Sequence, residues 1–163
     1  MACLKGSQTE KNLLASFAGE SQARNRYTYA ASVAKKEGYD QISALFLETA
    51  ENEKEHAKVF FKYLEGGEVE ITASYPAGVI GDTLANLKAA AAGEKAEWGL
   101  IYPGAAQTAK DEGFDAIAKS FEQIAEVEAR HEARYNILIG RVETGTVFKR
   151  DCAASLTHGN GWW

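Results

Sequence analysis

The sequence predicts an all-α protein, an antiparallel four-helix bundle built from two duplicated helix pairs with one long crossover connection. Three observations lead to this fold class. Apolar residues recur at helical spacing through most of the 163 residues, helix stop and start signals separate four such stretches, and the second half of the chain repeats the first. The presence of only two prolines permits long uninterrupted helices.

The first helix pair is predicted from its boundary signals. Residues 7–10, with the order Ser-Gln-Thr-Glu, form a capping box that opens a helix running to about Gly38. Gly38 favours the left-handed backbone that ends a helix, and Asp40 is predicted to cap a second helix that runs to about Glu65. Residues 66–81 are glycine-rich with β-forming residues, so we predict one long crossover there.

The second helix pair follows the same pattern. Asp82 is predicted to cap the third helix, and Pro103 should kink that helix or mark a local irregularity. Gly113 and Asp115 repeat the earlier helix stop and N-cap, and Asp115 is predicted to cap a fourth helix whose pattern fades from about Gly145.

An internal repeat relates the two pairs. Residues 34–40 (AKKEGYD) reappear as residues 109–115 (AKDEGFD), an offset of 75. In the first helix of each half the offset is 74, because residues 18–20 (AGE) reappear as residues 92–94. Short loops make each pair antiparallel, and the long crossover allows the two pairs to face each other, which is a four-helix bundle.

Composition excludes several classes of partner. Lys and Arg number 18 against 23 Asp and Glu, a net charge of −5, which disfavours nucleic acid because phosphate binding needs a surplus of positive charge. No segment approaches the apolar length of a membrane span, and residues 1–10 lack the apolar core of a signal peptide. With Cys3 and Cys152 as the only cysteines, a cytoplasmic location is expected.

The repeat also aligns acidic and imidazole side chains on the inner helix faces. Each Glu-x-x-His pair places both side chains on one face, a turn apart. A carboxylate buried without a partner is very costly, and lysines and arginines at core spacing are too few to compensate several of them. Metal ions supply the missing positive charge. The aligned residues are Glu20 with Glu94, Glu53 with Glu128, and His56 with His131.

These donor types indicate a dinuclear centre. Carboxylate oxygen with imidazole nitrogen suits iron or manganese, and zinc less selectively. Two Glu helices and two Glu-x-x-His helices form the ligand set known from di-iron carboxylate bundles. Glu97 lies one turn after Glu94, and its repeat counterpart is Ala23, so the third helix offers an extra carboxylate. We hypothesise that this unsymmetrical carboxylate can exchange with another ligand when the metal changes oxidation state.

Some alternatives remain open at this level. An amphipathic bundle with its Glu and His on a solvated edge is the simplest one, although the agreement across four helices favours the metal site. Tyr27 and Tyr102, matched at offset 75, either donate hydrogen bonds to ligand carboxylates or pack as core aromatics. Arg24 either orients a carboxylate or reaches solvent.

The motifs resemble those of rubrerythrins, non-haem di-iron proteins of the ferritin-like superfamily. The similar segments are residues 17–27 (FAGESQARNRY), 53–57 (EKEHA), 92–94 with Glu97, and 128–131 (EARH), and the likeness extends over roughly residues 4–149. The resemblance implies a ferritin-like fold, two iron ions and no haem. The ligands that it implies are Glu20, Glu53, His56, Glu94, Glu97, Glu128 and His131.

The resemblance also implies an activity. Rubrerythrins reduce hydrogen peroxide to water at a diferrous centre, and one iron shifts between a Glu and a His ligand, here Glu97 and His56. Glu53 and Glu128 correspond to the bridging carboxylates. Nearby tyrosines, Tyr27 and Tyr102, are expected to assist as catalytic residues, and the family is typically homodimeric or larger, sometimes with exchanged helix pairs.

The C-terminus departs from the family pattern. Full-length rubrerythrins continue into a rubredoxin-like module with two Cys-x-x-Cys pairs, whereas this sequence has Cys152 alone and ends at Trp163. We therefore expect a bundle domain over residues 1–148 and a tail over 149–163 with no rubredoxin module. Electrons are then expected from an external rubredoxin or flavoprotein.

Two other functions are compatible with the sequence. One is a ferroxidase or iron-storage bundle without peroxidase turnover, and the other is a structural bundle whose tail docks on a partner. Haem storage is disfavoured because Met1 is the only methionine, which leaves none on an inner helix face as an axial ligand.

Overall fold

The computed structural model describes residues 3–148, and this part of the chain is helical without strands. Four long helical rods form the predicted bundle, the third rod being interrupted by one turn of π-helix, named here the π turn. Residues 149–163, and with them Cys152 and the predicted tail, lie outside the described residues. The elements are α1 (Gln8–Lys36), α2 (Asp40–Phe61), α3 (Thr83–Ala96), the π turn (Glu97–Ile101), α4 (Tyr102–Asp111) and α5 (Asp115–Glu143).

Two of the predicted helix starts are confirmed by their capping hydrogen bonds. Ser7 Oγ accepts from the backbone N–H of Glu10 at 3.0 Å, and the Glu10 carboxylate accepts from the N–H of Gly6 at 2.7 Å. Asp82 Oδ1 accepts from the backbone N–H of Ala85 at 2.8 Å, which starts α3.

The predicted caps at Asp40 and Asp115 are wrong. Tyr39 and Phe114 occupy the N-cap positions without a side-chain capping bond, and each aspartate is the first helical residue. The cause is the tight turn before them, in which Gly38 has φ 85° and the Tyr39 N–H reaches back to a helical carbonyl at 2.8 Å. The tight turn extends to Tyr39, so the aspartate lies in the first turn of the helix itself. There its negative charge interacts favourably with the positive end of the helix dipole.

The end of the second helix also differs from the prediction. α2 ends at Phe61, whereas the sequence pattern placed its end near Glu65. The remaining residues of the predicted helix form turns that lead into Gly66 and Gly67, both with positive φ. The crossover over residues 66–81 contains no helix, as predicted.

The two helix pairs cap each other reciprocally. Glu112, beyond the end of α4, accepts from the backbone N–H groups of Gln8 at 3.0 Å and Thr9 at 2.8 Å, at the start of α1. Glu37, beyond the end of α1, accepts from the backbone N–H of Thr83 at the start of α3, at 3.0 Å. Since Glu37 and Glu112 are related by the 75-residue offset, the repeat of the sequence is also a repeat of tertiary contacts.

Aromatic packing occupies two clusters along the bundle. In one cluster Phe46 packs against Tyr135, with ring centroids 5.3 Å apart. In the other Phe60 packs against Phe121, with ring centroids 4.8 Å apart. On α2 and α5 the Glu-x-x-His pair lies between the two aromatic positions of the same helix. The acidic residues therefore lie in the middle of the bundle, between two apolar layers that exclude water.

No helix in the described part of the chain is both long enough and apolar enough to cross a membrane.

Candidate metal centre

Six of the seven predicted ligands converge in the interior of the bundle. They form two groups of four side chains, and within each group the candidate ligand atoms all lie within 4.8 Å of one another. The groups share two carboxylates, so the arrangement provides two adjacent positions for a cation. The first group is Glu20, Glu53, His56 and Glu128, and the second is Glu53, Glu94, Glu128 and His131.

The two shared carboxylates are placed to bridge. Glu128 Oε1 lies 2.7 Å from Nδ1 of His56, and its Oε2 lies 2.7 Å from Nδ1 of His131. Glu53 is arranged similarly, with Oε2 3.1 Å from His56 Nδ1 and Oε1 3.4 Å from His131 Nδ1. Each carboxylate thus presents one oxygen to each half of the site.

The two remaining carboxylates are each held by a tyrosine of the other helix pair. Tyr102 in α4 donates to Glu20 Oε1 at 2.5 Å, and Tyr27 in α1 donates to Glu94 Oε1 at 2.5 Å. Both tyrosines are buried and also belong to the aromatic clusters. The two alternatives for these tyrosines are therefore not exclusive, since their rings pack in the core and their hydroxyls orient carboxylates.

Buried polar atoms without partners show that this cluster fits metal ions. The carboxylates of Glu20, Glu53, Glu94 and Glu128 are at most 1% exposed. Several of their oxygens, together with His131 Nδ1, form no hydrogen bond. Buried polar atoms in proteins are nearly always paired, and divalent cations satisfy oxygen and nitrogen donors of this kind. The donor types and the unpaired atoms of the cluster therefore fit bound metal ions.

The pKa values of the clustered side chains also indicate a site that suits cations. Burial opposes the charged form of an imidazole, but the Glu128 and Glu53 carboxylates outweigh it and raise the pKa of His56 to about 9 and of His131 to about 12. Burial raises the pKa of Glu94 to about 8. Burial also acts to raise the pKa of Glu53, but the imidazoles of His131 and His56 outweigh it and lower that pKa to about 2. Protons therefore occupy the cluster where metal ions are expected to bind.

The seventh predicted ligand, Glu97, lies beside the two groups and belongs to neither. It is on the π turn, half-buried, and it lines a cavity of about 560 Å³ between α1 and the third rod. Burial, together with the charges of Glu94 and Glu128, raises the pKa of the Glu97 carboxyl well above its ordinary value. Its role as a ligand stays a prediction, and the structure places its side chain at the wall of the cavity.

The π turn explains why the repeat offset changes. Glu20 matches Glu94 at an offset of 74, whereas Tyr27 matches Tyr102 at 75, so one extra residue lies between Glu94 and Tyr102 in the second half. A π turn accommodates one residue more than the corresponding α-helical turn and is frequent at functional sites. The irregularity predicted from Pro103 is this turn, and the change of offset is a second sequence signal that could have located it.

Two further polar residues take positions that the sequence did not settle. Arg24 lies 4.0 Å from exposed Glu51 at the bundle surface, so it does not orient a ligand carboxylate. Asn52, which sequence reasoning missed, has its side-chain Nδ2 3.2 Å from Nε2 of His131. Its only sequence signal was its position directly before Glu53.

The fold and the site define a metal-binding four-helix bundle of the ferritin-like class, with a buried cluster of carboxylates and histidines. Comparison of the sequence with known proteins identifies the family. The rubrerythrin family model matches residues 11–139, and the chain belongs to this family, whose non-haem iron the cluster suits. The chain is 65% identical over 147 residues to rubrerythrin of Porphyromonas gingivalis, and the match covers 90% of this chain and 74% of that protein.

Other relatives agree with this assignment. Rubrerythrin of Nitratidesulfovibrio vulgaris is 54% identical over 153 residues, covering 94% of this chain and 80% of that protein. Among solved structures, fully reduced, all-ferrous nigerythrin matches with a TM-score of 0.75 and 30% identity over 90% of this chain and 70% of that chain. Symerythrin from Cyanophora paradoxa, at 24% identity and a TM-score of 0.73, covers 83% of this chain and 85% of its own, and it supports the fold. The predicted resemblance and the ferritin-like fold are confirmed.

Proposed function

We propose that this chain is a non-haem di-iron peroxidase that reduces hydrogen peroxide to water in oxidative-stress defence. The observation that carries the proposal is the pair of four-ligand groups sharing Glu53 and Glu128, because two adjacent positions with common bridges suit two iron ions. Iron without haem agrees with the donor set, which is carboxylate and imidazole only.

The reaction requires two electrons and two protons, since one O–O bond is cleaved and two water molecules form from one peroxide. When bound, two ferrous ions supply one electron each and act as Lewis acids toward the peroxide oxygens. The Glu97 carboxyl lies on the cavity, and in this proposal it delivers one of the two protons to a leaving oxygen, while solvent water supplies the second. Delivery of this proton is the role that we assign to Glu97 in the catalytic step.

The other residues of the cluster prepare the site for this chemistry. Tyr102 and Tyr27 hold Glu20 and Glu94 in place through their hydroxyl hydrogen bonds. The pKa values of both tyrosines are raised, first by burial and then by the adjacent carboxylates, so the hydroxyls keep their protons. Of the residues predicted to be catalytic, His56 takes part as the ligand that we expect to alternate with Glu97.

The partners form part of the same proposal. Return to the diferrous state needs an electron donor, for which we propose a separate rubredoxin or flavoprotein. We also propose a homodimer, as is typical of the resemblance described above, and a cytoplasmic location. Neither nucleic acid nor a membrane is part of the proposed activity.

The test compares two oxidants on the anaerobically prepared diferrous protein. Stopped-flow absorbance should show faster oxidation by hydrogen peroxide than by oxygen, and dominance of oxygen would make the peroxidase assignment wrong. Glu97→Ala should retain two irons per chain and lose about 100-fold in the peroxide rate, the scale of a lost general acid. Glu126→Ala, an exposed carboxylate on α5, is the matched control and should change neither quantity. Iron uptake far beyond two ions per chain, with mineral growth, would instead identify an iron-storage bundle.

A further inference from the structure

We infer that Asn52 is a positioning residue that anchors His131, and that Val127 at the equivalent position in the other half leaves His56 without such an anchor. The two metal positions are therefore inequivalent, the His131 position being the tighter one. This inference rests on the proposed function only in taking the cluster to be a dinuclear metal site.

The contact lies on the outer edge of the His131 ring. His131 Nδ1 faces the carboxylates, and Nε2, on the far side of the ring, lies 3.2 Å from Asn52 Nδ2. An imidazole that binds a metal through Nδ1 keeps its proton on Nε2. The side-chain amide of Asn52 has an acceptor, Oδ1, as well as the donor Nδ2. A rotation of 180° about the Cβ–Cγ bond exchanges the two atoms and presents Oδ1 to the Nε2–H of His131. A hydrogen bond of this kind fixes both the tautomer and the ring orientation of a ligand histidine.

The other half of the site lacks this arrangement. The offset of 75 that relates Glu53 to Glu128 and His56 to His131 also relates Asn52 to Val127, whose side chain cannot form a hydrogen bond. Among the described residues, nothing makes a hydrogen bond with Nε2 of His56. The side chain of His56 is 11% exposed, against 3% for His131. Both imidazoles have carboxylate oxygens close to Nδ1, but among the described residues only His131 has a hydrogen-bond partner at Nε2.

A purely structural role does not account for Asn52. Asparagine is among the weaker helix formers, yet this one lies in the middle of α2. Within the described residues, its side chain makes a single hydrogen bond, the one with His131. The position is half-buried beside Glu53, so a helix-favouring residue would serve packing equally well. The side chain is explained by what it does to the histidine.

The experiment measures stepwise zinc binding to the metal-stripped full chain by competition with a chromophoric chelator. We expect two different dissociation constants in the unmodified chain. Asn52→Val should weaken the tighter one by about 10- to 100-fold, which is the usual effect of removing a partner of a ligand histidine. Asn52→Asp keeps an acceptor for the ring N–H, so the tighter zinc dissociation constant should stay close to that of the unmodified chain. Asn136→Val, the same substitution at an exposed position of α5, is the control.

A second readout reports the hydrogen bond itself. In the zinc-loaded protein the Nε2–H proton of His131 should give a slowly exchanging NMR resonance that disappears in Asn52→Val. The reciprocal variant Val127→Asn should create a second such resonance, from His56, and bring the two zinc constants closer together. This variant decides the question even where Asn52→Val fails to fold.

Two results would overturn the inference. One is a pair of zinc constants that Asn52→Val leaves unchanged, and the other is two equal constants in the unmodified chain. Zinc is redox-inert, so a failure of the peroxidase proposal leaves these measurements unaffected. Conversely, unchanged zinc constants in a protein that still consumes peroxide would reject Asn52 as an anchor and keep the proposed function.

Discussion

Loading the site with metal should release protons, and the structure sets the number. At pH 7 the metal-free cluster holds one proton each on His131, His56 and Glu94, because the nearby carboxylates or burial raise their pKa values to about 12, about 9 and about 8. Metal ligands must be deprotonated to bind. Two zinc ions should therefore displace about three protons per chain from these residues at pH 7, and the raised pKa values of Glu20 and Glu97 can only add to that number.

The pH dependence of this release has a definite sign. At pH 8.5 Glu94 has already lost most of its proton, so the release should fall by roughly one proton per chain. Because protons compete with the metal, the apparent zinc affinity should rise with pH over the same interval. Glu94→Gln, which removes one titrating group and keeps its shape, should lower the release at pH 7 by about one proton.

The assay is isothermal titration calorimetry of the metal-stripped protein in buffers of different ionisation enthalpy. The slope of the observed enthalpy against the ionisation enthalpy of the buffer gives the number of protons released. A release below one proton at pH 7, or one that does not change between pH 7 and pH 8.5, would refute the view that protons occupy the cluster in place of metal.

Two further predictions concern the contacts that join the helix pairs. Glu112→Ala should destabilise the protein by about 1 kcal/mol in urea unfolding, since it removes the acceptor for two N-terminal amides of α1; Glu122→Ala, in an exposed ion pair, is the control. Hydrogen bonds with Thr9 lower the pKa of Glu112, so the stabilisation by Glu112 is fully present above pH 4.5 and is lost as the pH falls through the lowered pKa. A stability difference between Glu112→Ala and the unmodified protein that persists in acid would contradict the assignment. Tyr102→Phe should keep two irons and slow the peroxide reaction about tenfold, because Glu20 loses its hydroxyl donor. An equal loss in Tyr63→Phe, whose hydroxyl meets Ser120 on the bundle surface, would assign the effect to general packing.

The overall fold and most of the cluster could be predicted because they depend on short-range spacing. An apolar stripe defines the inner face of each helix, so Glu53 and His56 had to point the same way. The duplication then carried this placement to Glu128 and His131, and a buried acidic cluster required cations. Local periodicity and repetition were sufficient for these conclusions.

Details that depend on contacts between helices could not be obtained in this way. The N-cap of α2 was predicted at Asp40 and lies at Tyr39, because the preceding turn, closed by backbone hydrogen bonds, decides which residue is the cap. Glu97 was expected among the ligands, yet the π turn places it beside the two groups, on the cavity. Asn52 escaped notice because nothing in its own helix indicates that a ring from another helix lies against it.

By itself, the sequence determined the number of helical rods, their inner faces and the six acidic and imidazole residues that gather there, because each of these follows from residue spacing along the chain. Only the tertiary structure decided which tyrosine holds which carboxylate, where Glu97 lies and which histidine is anchored. The physical reason is that these contacts join residues up to 82 positions apart, and the distance between two such side chains depends on how the helices pack against each other.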